Sequence, residues 1–175
     1  MHKRFFITIA IVLLGITAYQ IFGHKELNVI EVDAPPLFVV GKSYKGFAGD
    51  KPVERALKET EKLLDKGLLS GALSVWYYGN PDQNQDSLNI IIGAVRADST
   101  QDMPIEYELF RIQEGKVLRA ILDPTEIFAP TPNEVNETLL DSAKIKNLGE
   151  RAYLYSERYV ITNDKRLIWN DIYVK

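Results

Sequence analysis

The stretch Leu73–Val95, LSVWYYGNPDQNQDSLNIIIGAV, decides the fold of this chain. It reads as two antiparallel strands joined by a polar loop, and the first strand ends in Trp76, Tyr77 and Tyr78. Neighbouring residues of a strand point to opposite faces of the sheet, so only one of the two tyrosines can face what the sheet encloses. The hairpin therefore raises one question, which is whether the enclosed side is a packed core or a pocket.

Length and composition predict one globular domain with an appendage. The chain has 175 residues, of which 46% are hydrophobic and 26% charged, and its formal net charge is −3. Lysines and arginines are interleaved with acids, which argues against nucleic-acid binding, because that function needs a basic face. The chain has no cysteine, so disulfides, thiol catalysis and cysteine-based zinc sites are excluded.

Histidine is confined to the N-terminal region, where His2 and His24 flank an apolar run. The sequence therefore offers no histidine-based triad or metal site in the predicted domain, and its serines lack a nucleophile-elbow motif. Haem would need an axial ligand, for which only tyrosine remains in the predicted core. We predict no metal, no cofactor and no catalytic residue.

Residues 1–26 predict a membrane anchor. Phe5–Phe22 carries no charge and, at about 18 residues, is near the lower limit for crossing a hydrocarbon core of roughly 30 Å. Lys3 and Arg4 before it favour a cytoplasmic N-terminus, so a single pass would place the domain in the periplasm or another extracytoplasmic space. The alternatives are a cleaved signal peptide and a buried helix of the fold.

Residues 27–175 predict a duplicated α+β domain. Each half, at about 27–99 and 104–175, reads strand-strand-helix-strand-strand. Asp50 before Pro52 predicts the start of the first helix, and Thr131 with Glu134 forms a capping box for the second. The hairpins 72–95 and 152–174 correspond at an offset of about 80 in element order rather than in letters.

Such halves are expected to be related by a pseudo-twofold axis. The expected arrangement has two outer helices and antiparallel curved sheets that curl towards each other. A ligand would then lie between the sheets at the axis.

Several segments resemble one family. The segment Tyr77–Asp82, YYGNPD, followed by Gly93 in an apolar strand, is similar to the first-half signature of the gyrase-inhibitor-like (GyrI-like) small-molecule-binding domain. Leu37–Gly46 resembles its opening strand, Ser156–Tyr159 its second-half element, and Asn170–Val174 its closing strand. The family is grouped with the effector-binding domains of multidrug-responsive regulators and with the SOUL haem-binding proteins.

The resemblance implies a pocket between the two halves, with aromatic walls and a buried glutamate that receives planar cationic ligands. Glu157 is the best match for that carboxylate, and Tyr77, which corresponds to it at the offset, is expected to share its surface. The ligand-binding residues that follow from the sequence are Trp76, Tyr77, Tyr78, Glu157, Tyr159 and Asp171. The alternatives are ordinary core packing for the aromatic residues and a solvated strand position for Glu157.

Three functions stay open. The first is a non-enzymatic, membrane-anchored module that binds hydrophobic, planar or cationic small molecules, for sensing or sequestration. The second is a hydrolase of reactive small molecules with Glu106, Glu108 or Glu157 as the base; a buried acid with a raised pKa in a pocket would favour it. The third is a protein-interaction module that presents a sheet edge or cleft near the membrane.

Overall fold

The computed structural model describes residues 27–47, 50–79, 88–96, 98–99, 103–125, 129–148, 150–162 and 164–174. The predicted membrane segment Phe5–Phe22 and the Asn80–Asp82 part of the family signature lie outside these residues. No helix within the described ranges is long and apolar enough to cross a membrane.

Each half contains four strands and one helix, in the predicted order. The first half consists of β1 (Val29–Ala34), β2 (Leu37–Gly46), α1 (Lys51–Asp65), β3 (Ala72–Tyr78) and β4 (Leu88–Arg96). The second consists of β5 (Glu108–Ile112), β6 (Gly115–Leu122), α2 (Pro132–Ile145), β7 (Glu150–Thr162) and β8 (Lys165–Val174).

The strands form one antiparallel sheet of eight strands in the order β1-β6-β8-β7-β3-β4-β2-β5. Exchanging the two halves and reading the order backwards returns the same order, which is the signature of a pseudo-twofold axis. The axis lies between β3 and β7, where Trp76 pairs with Ser156. The expectation of two sheets curling towards each other was wrong, because β3 and β7 hydrogen bond directly and join the halves.

Both helices pack on the same face of this sheet, which we call the helix face. Val53 and Ala56 of α1 and Leu139 of α2 belong to one hydrophobic cluster with Val75 and Tyr77 of β3. The helix α1 lies over β4 and β2, whereas α2 lies over β6 and β8. The adjoining strands β3 and β7 therefore form the floor between the two helices.

The helix ends show the duplication more clearly than the sequence does. The capping box of Thr131 is confirmed: its backbone N–H donates to Glu134 Oε2 at 2.7 Å, and its hydroxyl accepts from the Glu134 N–H. Asp50 stands at the equivalent N-cap position, but its carboxylate accepts from the Phe47 N–H at 2.8 Å instead of from the helix.

Both C-termini end in the same turn, with a left-handed residue two positions after the helix. Gly67 has φ 67° and its N–H donates to the Leu64 carbonyl at 3.0 Å, which is the usual way a glycine ends a helix. In the second half Asn147 has φ 53° and donates to the Lys144 carbonyl at 3.0 Å. Glycine and asparagine are the residues that tolerate this conformation, so two different residue types give the same turn in the two halves.

The opposite face of the sheet, which α1 and α2 do not cover, we call the open face. Its centre is buried as well. Trp76, Val39, Val117 and Tyr173 form a second cluster there, and each is 0% exposed. The rings of Trp76 and Tyr173 pack with their centroids 6.1 Å apart. This part of the opening hairpin is therefore core rather than pocket wall.

Candidate functional site

The floor of the helix face carries a row of tyrosines around one acid. Tyr77 of β3 and Tyr155 of β7 are register partners, and their ring centroids lie 5.7 Å apart. Glu157 lies two residues beyond Tyr155 and directly across from Val75. Because side chains two apart on a strand share a face, Glu157 and Tyr159 point to the same side as Tyr155.

Among the residues that the structure describes, Glu157 is held by tyrosine hydroxyl groups and has no cationic partner. The Tyr155 hydroxyl lies 3.4 Å from Glu157 Oε1 and 2.8 Å from Asn170 Oδ1. Burial raises the pKa of Glu157 above its ordinary value, and hydrogen bonds from Tyr155 and Tyr159 oppose this shift only in part. A positive charge placed beside this carboxyl group would stabilise its charged form.

The nearby tyrosines feel the same environment. Burial, followed by the charge of Glu157, raises the pKa of Tyr159 to about 12. The pKa of Tyr77 is also raised by burial and, to a lesser extent, by Glu157. These phenols therefore stay neutral near pH 7 and can offer hydroxyl groups and ring faces to a ligand.

A cavity of about 910 Å³ lies beside this row, between α1 and the adjoining ends of β3, β7 and β8. Tyr159 lines it, together with apolar side chains that include Leu57, Leu73 and Ile168. Its charged lining residues are Glu54, Lys58, Glu61, Asp65 and Arg166. With three acids and two bases, the charged lining is negative on balance and favours a cationic or neutral ligand.

The six residues predicted from the sequence do not converge on one site. Tyr77, Glu157 and Tyr159 lie on the helix face. The remaining three, Trp76, Tyr78 and Asp171, lie on the open face. Side chains alternate along each strand, and Ser156, the neighbour of Glu157, is the register partner of Asp171.

Asp171 belongs to a charged group of its own. It is 0% exposed and accepts hydrogen bonds from Arg119 Nε at 2.7 Å and Arg119 Nη2 at 2.9 Å. Arg158 Nη2 donates to the same carboxylate. This acid is paired with guanidinium groups and is not directed towards the helix-face cavity.

The two other acids considered as catalytic bases are exposed and lie outside the cavity. Glu108 begins β5, whereas Glu106 precedes that strand with φ 76°, so the two acids do not lie side by side on one strand face. Glu106 Oε2 accepts from Lys42 Nζ at 3.1 Å. Within the described part of the chain, no group of three His, Cys, Asp or Glu residues is placed to hold a metal ion.

Sequence reasoning missed part of the helix-face site. Tyr155 stands two residues before Glu157, and this spacing alone would have placed it on the same face. Glu54, Glu61 and Asp65 of α1 line the cavity, although acids at such positions are typical of the solvated side of an amphipathic helix. The sequence does not show which turns of a helix lie opposite the end of a strand.

No protein-family model and no curated protein matches the sequence. Solved structures do match. The protein SAV2435 bound to tetraphenylphosphonium has a TM-score of 0.52 at 12% identity, covering 85% of this chain and 94% of that one. The EcmrR C-terminal domain has a TM-score of 0.60 at 9% identity, covering 86% and 99%. A hydrolase from Listeria innocua has a TM-score of 0.52 at 11% identity, covering 91% and 98%.

The chain has the GyrI-like fold. This confirms the duplicated α+β fold that the sequence resemblance predicted. In this fold the two halves meet at β3 and β7, and Glu157 lies on the floor that these strands form. At these identities the likeness concerns the fold alone.

Proposed function

We propose that this chain is a small-molecule-binding module that takes a hydrophobic, planar or cationic compound on the helix face, in the space between α1 and the β3–β7 floor. The observation that carries the proposal is Glu157, a partly buried acid with a raised pKa among tyrosine hydroxyls, beside a cavity of about 910 Å³. A cation placed against Glu157 would restore its charged form, and the tyrosine rings would supply stacking surface.

The charged lining supports the same class of ligand. Glu61 lies on the cavity wall near Tyr159, and its negative charge contributes to the raised pKa of that phenol. Lys58 and Arg166 offset part of the acidic lining. The solved neighbour that was captured with tetraphenylphosphonium, a planar-ringed organic cation, supplies the probe for the test.

The direct experiment is calorimetric titration of the full chain with tetraphenylphosphonium. We expect saturable binding that is weakened about tenfold or more in Glu157→Gln, which keeps the shape of the side chain and removes its charge. Glu137→Gln on the exposed side of α2 is the matched control and should bind as the unmodified protein does. Equal affinity in Glu157→Gln would remove Glu157 from the role, and absence of binding would count against the ligand class.

We also propose that Phe5–Phe22 anchors this module in a membrane, with residues 27–175 on the extracytoplasmic side. The support is the uncharged run itself and the two basic residues that precede it. Protease added to the outside of intact spheroplasts should digest the domain. Digestion only after the membrane is opened would overturn this orientation.

A hydrolase is the second candidate, because Glu157 is a partly buried acid with a raised pKa, two residues along β7 from the cavity-lining Tyr159. A solved neighbour described as a hydrolase shares the fold. The test is hydrolysis of p-nitrophenyl acetate and styrene oxide, with loss of turnover in Glu157→Gln. The protein-interaction alternative would use the edge strands β1 and β5, and a cavity of this volume favours a small ligand instead.

A further inference from the structure

The open face holds a buried charged group at its centre. Both oxygens of Asp171 accept hydrogen bonds from Arg119, and Arg158 donates to one of them as well. The ring of Trp169 lies 4.2 Å from the Arg119 guanidinium carbon and 5.4 Å from that of Arg158. We call these four residues the arginine cluster.

The arginine cluster carries more positive than negative charge. Two guanidinium groups share one carboxylate, and the residues Arg119 and Arg158 are only 9% and 7% exposed. Both arginines remain charged, because guanidinium does not lose its proton in proteins. A buried excess charge is unfavourable unless something of opposite sign compensates for it.

The surroundings of the cluster are rich in hydrogen-bond donors. Within the part of the chain that the structure describes, four buried polar atoms here have no hydrogen-bond partner. They are Arg158 Nε, Trp169 Nε1, the Ser156 hydroxyl and the Tyr173 hydroxyl. The arginine and tryptophan N–H groups can only donate and the two hydroxyls can also donate, so the oxygens of an oxyanion could accept from all four.

The strand register brings these donors to one place. Ser156 lies directly across from Asp171, and Trp169 lies directly across from Arg158. Tyr173 follows Asp171 by two residues on the same face, and burial raises the pKa of its hydroxyl to about 12. The register therefore places these four groups on the open face, at the same strand position as Asp171 or at a neighbouring one.

We propose that the arginine cluster is a second binding site, on the opposite face from the cavity, which takes an oxyanion: the carboxylate or phosphate group of a small molecule. Guanidinium forks match the planar pairs of oxygens that these groups present. Trp169 is only partly buried and Ile121, on the same face of β6, is 42% exposed, so this side of the cluster reaches solvent. The two faces would thus select ligands of opposite charge.

The test uses the two tryptophan indole N–H signals of the full chain in a ¹⁵N–¹H spectrum. Trp169 belongs to the cluster, whereas the Trp76 N–H donates to Ser74 Oγ at 3.0 Å and serves as an internal control. Signals are assigned with Trp169→Phe. Inorganic phosphate and acetate are then titrated separately at constant ionic strength.

We expect a saturable shift of the Trp169 signal, larger than that of Trp76, with at least one anion. A shift with phosphate alone or acetate alone names the group that the site prefers. Arg119→Lys keeps the charge but loses the fork, and it should weaken binding at least fivefold if it folds. Absence of any saturable shift in the unmodified protein would make the cluster a structural ion group only and overturn the proposal.

This inference stands apart from the proposed function. Titration of the same sample with tetraphenylphosphonium should leave the Trp169 signal in place, because that cation is assigned to the helix face. Failure of the cation to bind would therefore not count against the oxyanion site. Failure of the anions to bind would likewise not count against the cation site.

Discussion

Glu157 and Asp171 point to opposite faces of the sheet, because Asp171 lies across from Ser156, the strand neighbour of Glu157. The two acids consequently have opposite surroundings. Glu157 lies among tyrosine hydroxyls, where burial raises its pKa. Asp171 lies between two guanidinium groups. Removing the negative charge should therefore stabilise the fold at one position and destabilise it at the other.

Glu157→Gln should make the fold more stable at pH 7 to 8 and flatten its pH dependence. Its folded pKa is raised above the ordinary value of 4.5, so between pH 4.5 and the folded pKa the folded state binds more protons than the unfolded state. Stability then falls as pH rises from 4.5 through the folded pKa, and the loss is complete above it. The measurement is urea unfolding at several pH values between 4 and 8.

The control for this series is Glu137→Gln, an exposed acid on the second helix. It should follow the unmodified protein across the pH range. If Glu157→Gln unfolds with the same pH slope as this control, the raised pKa is not present in solution.

Asp171→Asn should destabilise the fold by about 3–5 kcal/mol, because it leaves two buried guanidinium groups without their carboxylate. The matched control is Glu31→Gln. Glu31 accepts from Lys116 at 3.1 Å and from Lys146 at 3.4 Å, but that pair of contacts is at the surface. Surface ion pairs contribute little, so its midpoint of thermal unfolding should barely change. Equal effects of the two substitutions would contradict the burial of the arginine cluster.

Tryptophan emission should respond weakly to tetraphenylphosphonium. Both tryptophans lie on the open face, which is the side of the sheet opposite the cavity, and Trp76 is 0% exposed. A ligand on the helix face contacts neither ring, so calorimetry should report binding that the emission maximum does not follow. Strong quenching that is lost in Trp169→Phe would instead place the cation on the open face.

The order of elements could be predicted from the sequence because it depends on local signals. The capping box at Thr131, which forms as predicted, and the glycine at Gly67 each act over a few neighbouring residues. The candidate site depends on long-range pairing instead. Alternation places Tyr77 and Tyr78 on opposite faces, but only the packing of Tyr77 in one cluster with Val53 and Leu139 shows which face carries the helices.

The sequence also does not predict that the two halves join into one sheet. It results from the pairing of β3 with β7, strands that lie far apart in the chain. Each of them pairs with its hairpin partner on one side and has an edge left on the other. The sequence of either hairpin does not state whether that edge meets its counterpart, solvent or a separate sheet.

The pair of glycines at the middle of β2 and β4 yields a final prediction. Gly41 and Gly93 are register partners, and a Cβ on Gly93 would collide with the carbonyl oxygen of Val40. Strand β4 hydrogen bonds to β2 on one side and β3 on the other, so its backbone has little freedom to retreat. Gly93→Ala should therefore destabilise the fold by about 1–3 kcal/mol, a typical effect of overpacking.

Thermal unfolding of Gly93→Ala beside Ser43→Ala, an exposed position on β2, measures this effect. Equal midpoints would show that the strands separate more easily than their pairing suggests. Gly41→Ala crowds the same place, since its Cβ would meet the Ile92 carbonyl oxygen. The double substitution should then cost less than the two single ones together, because the strand movement that accommodates the first methyl group also makes room for the second.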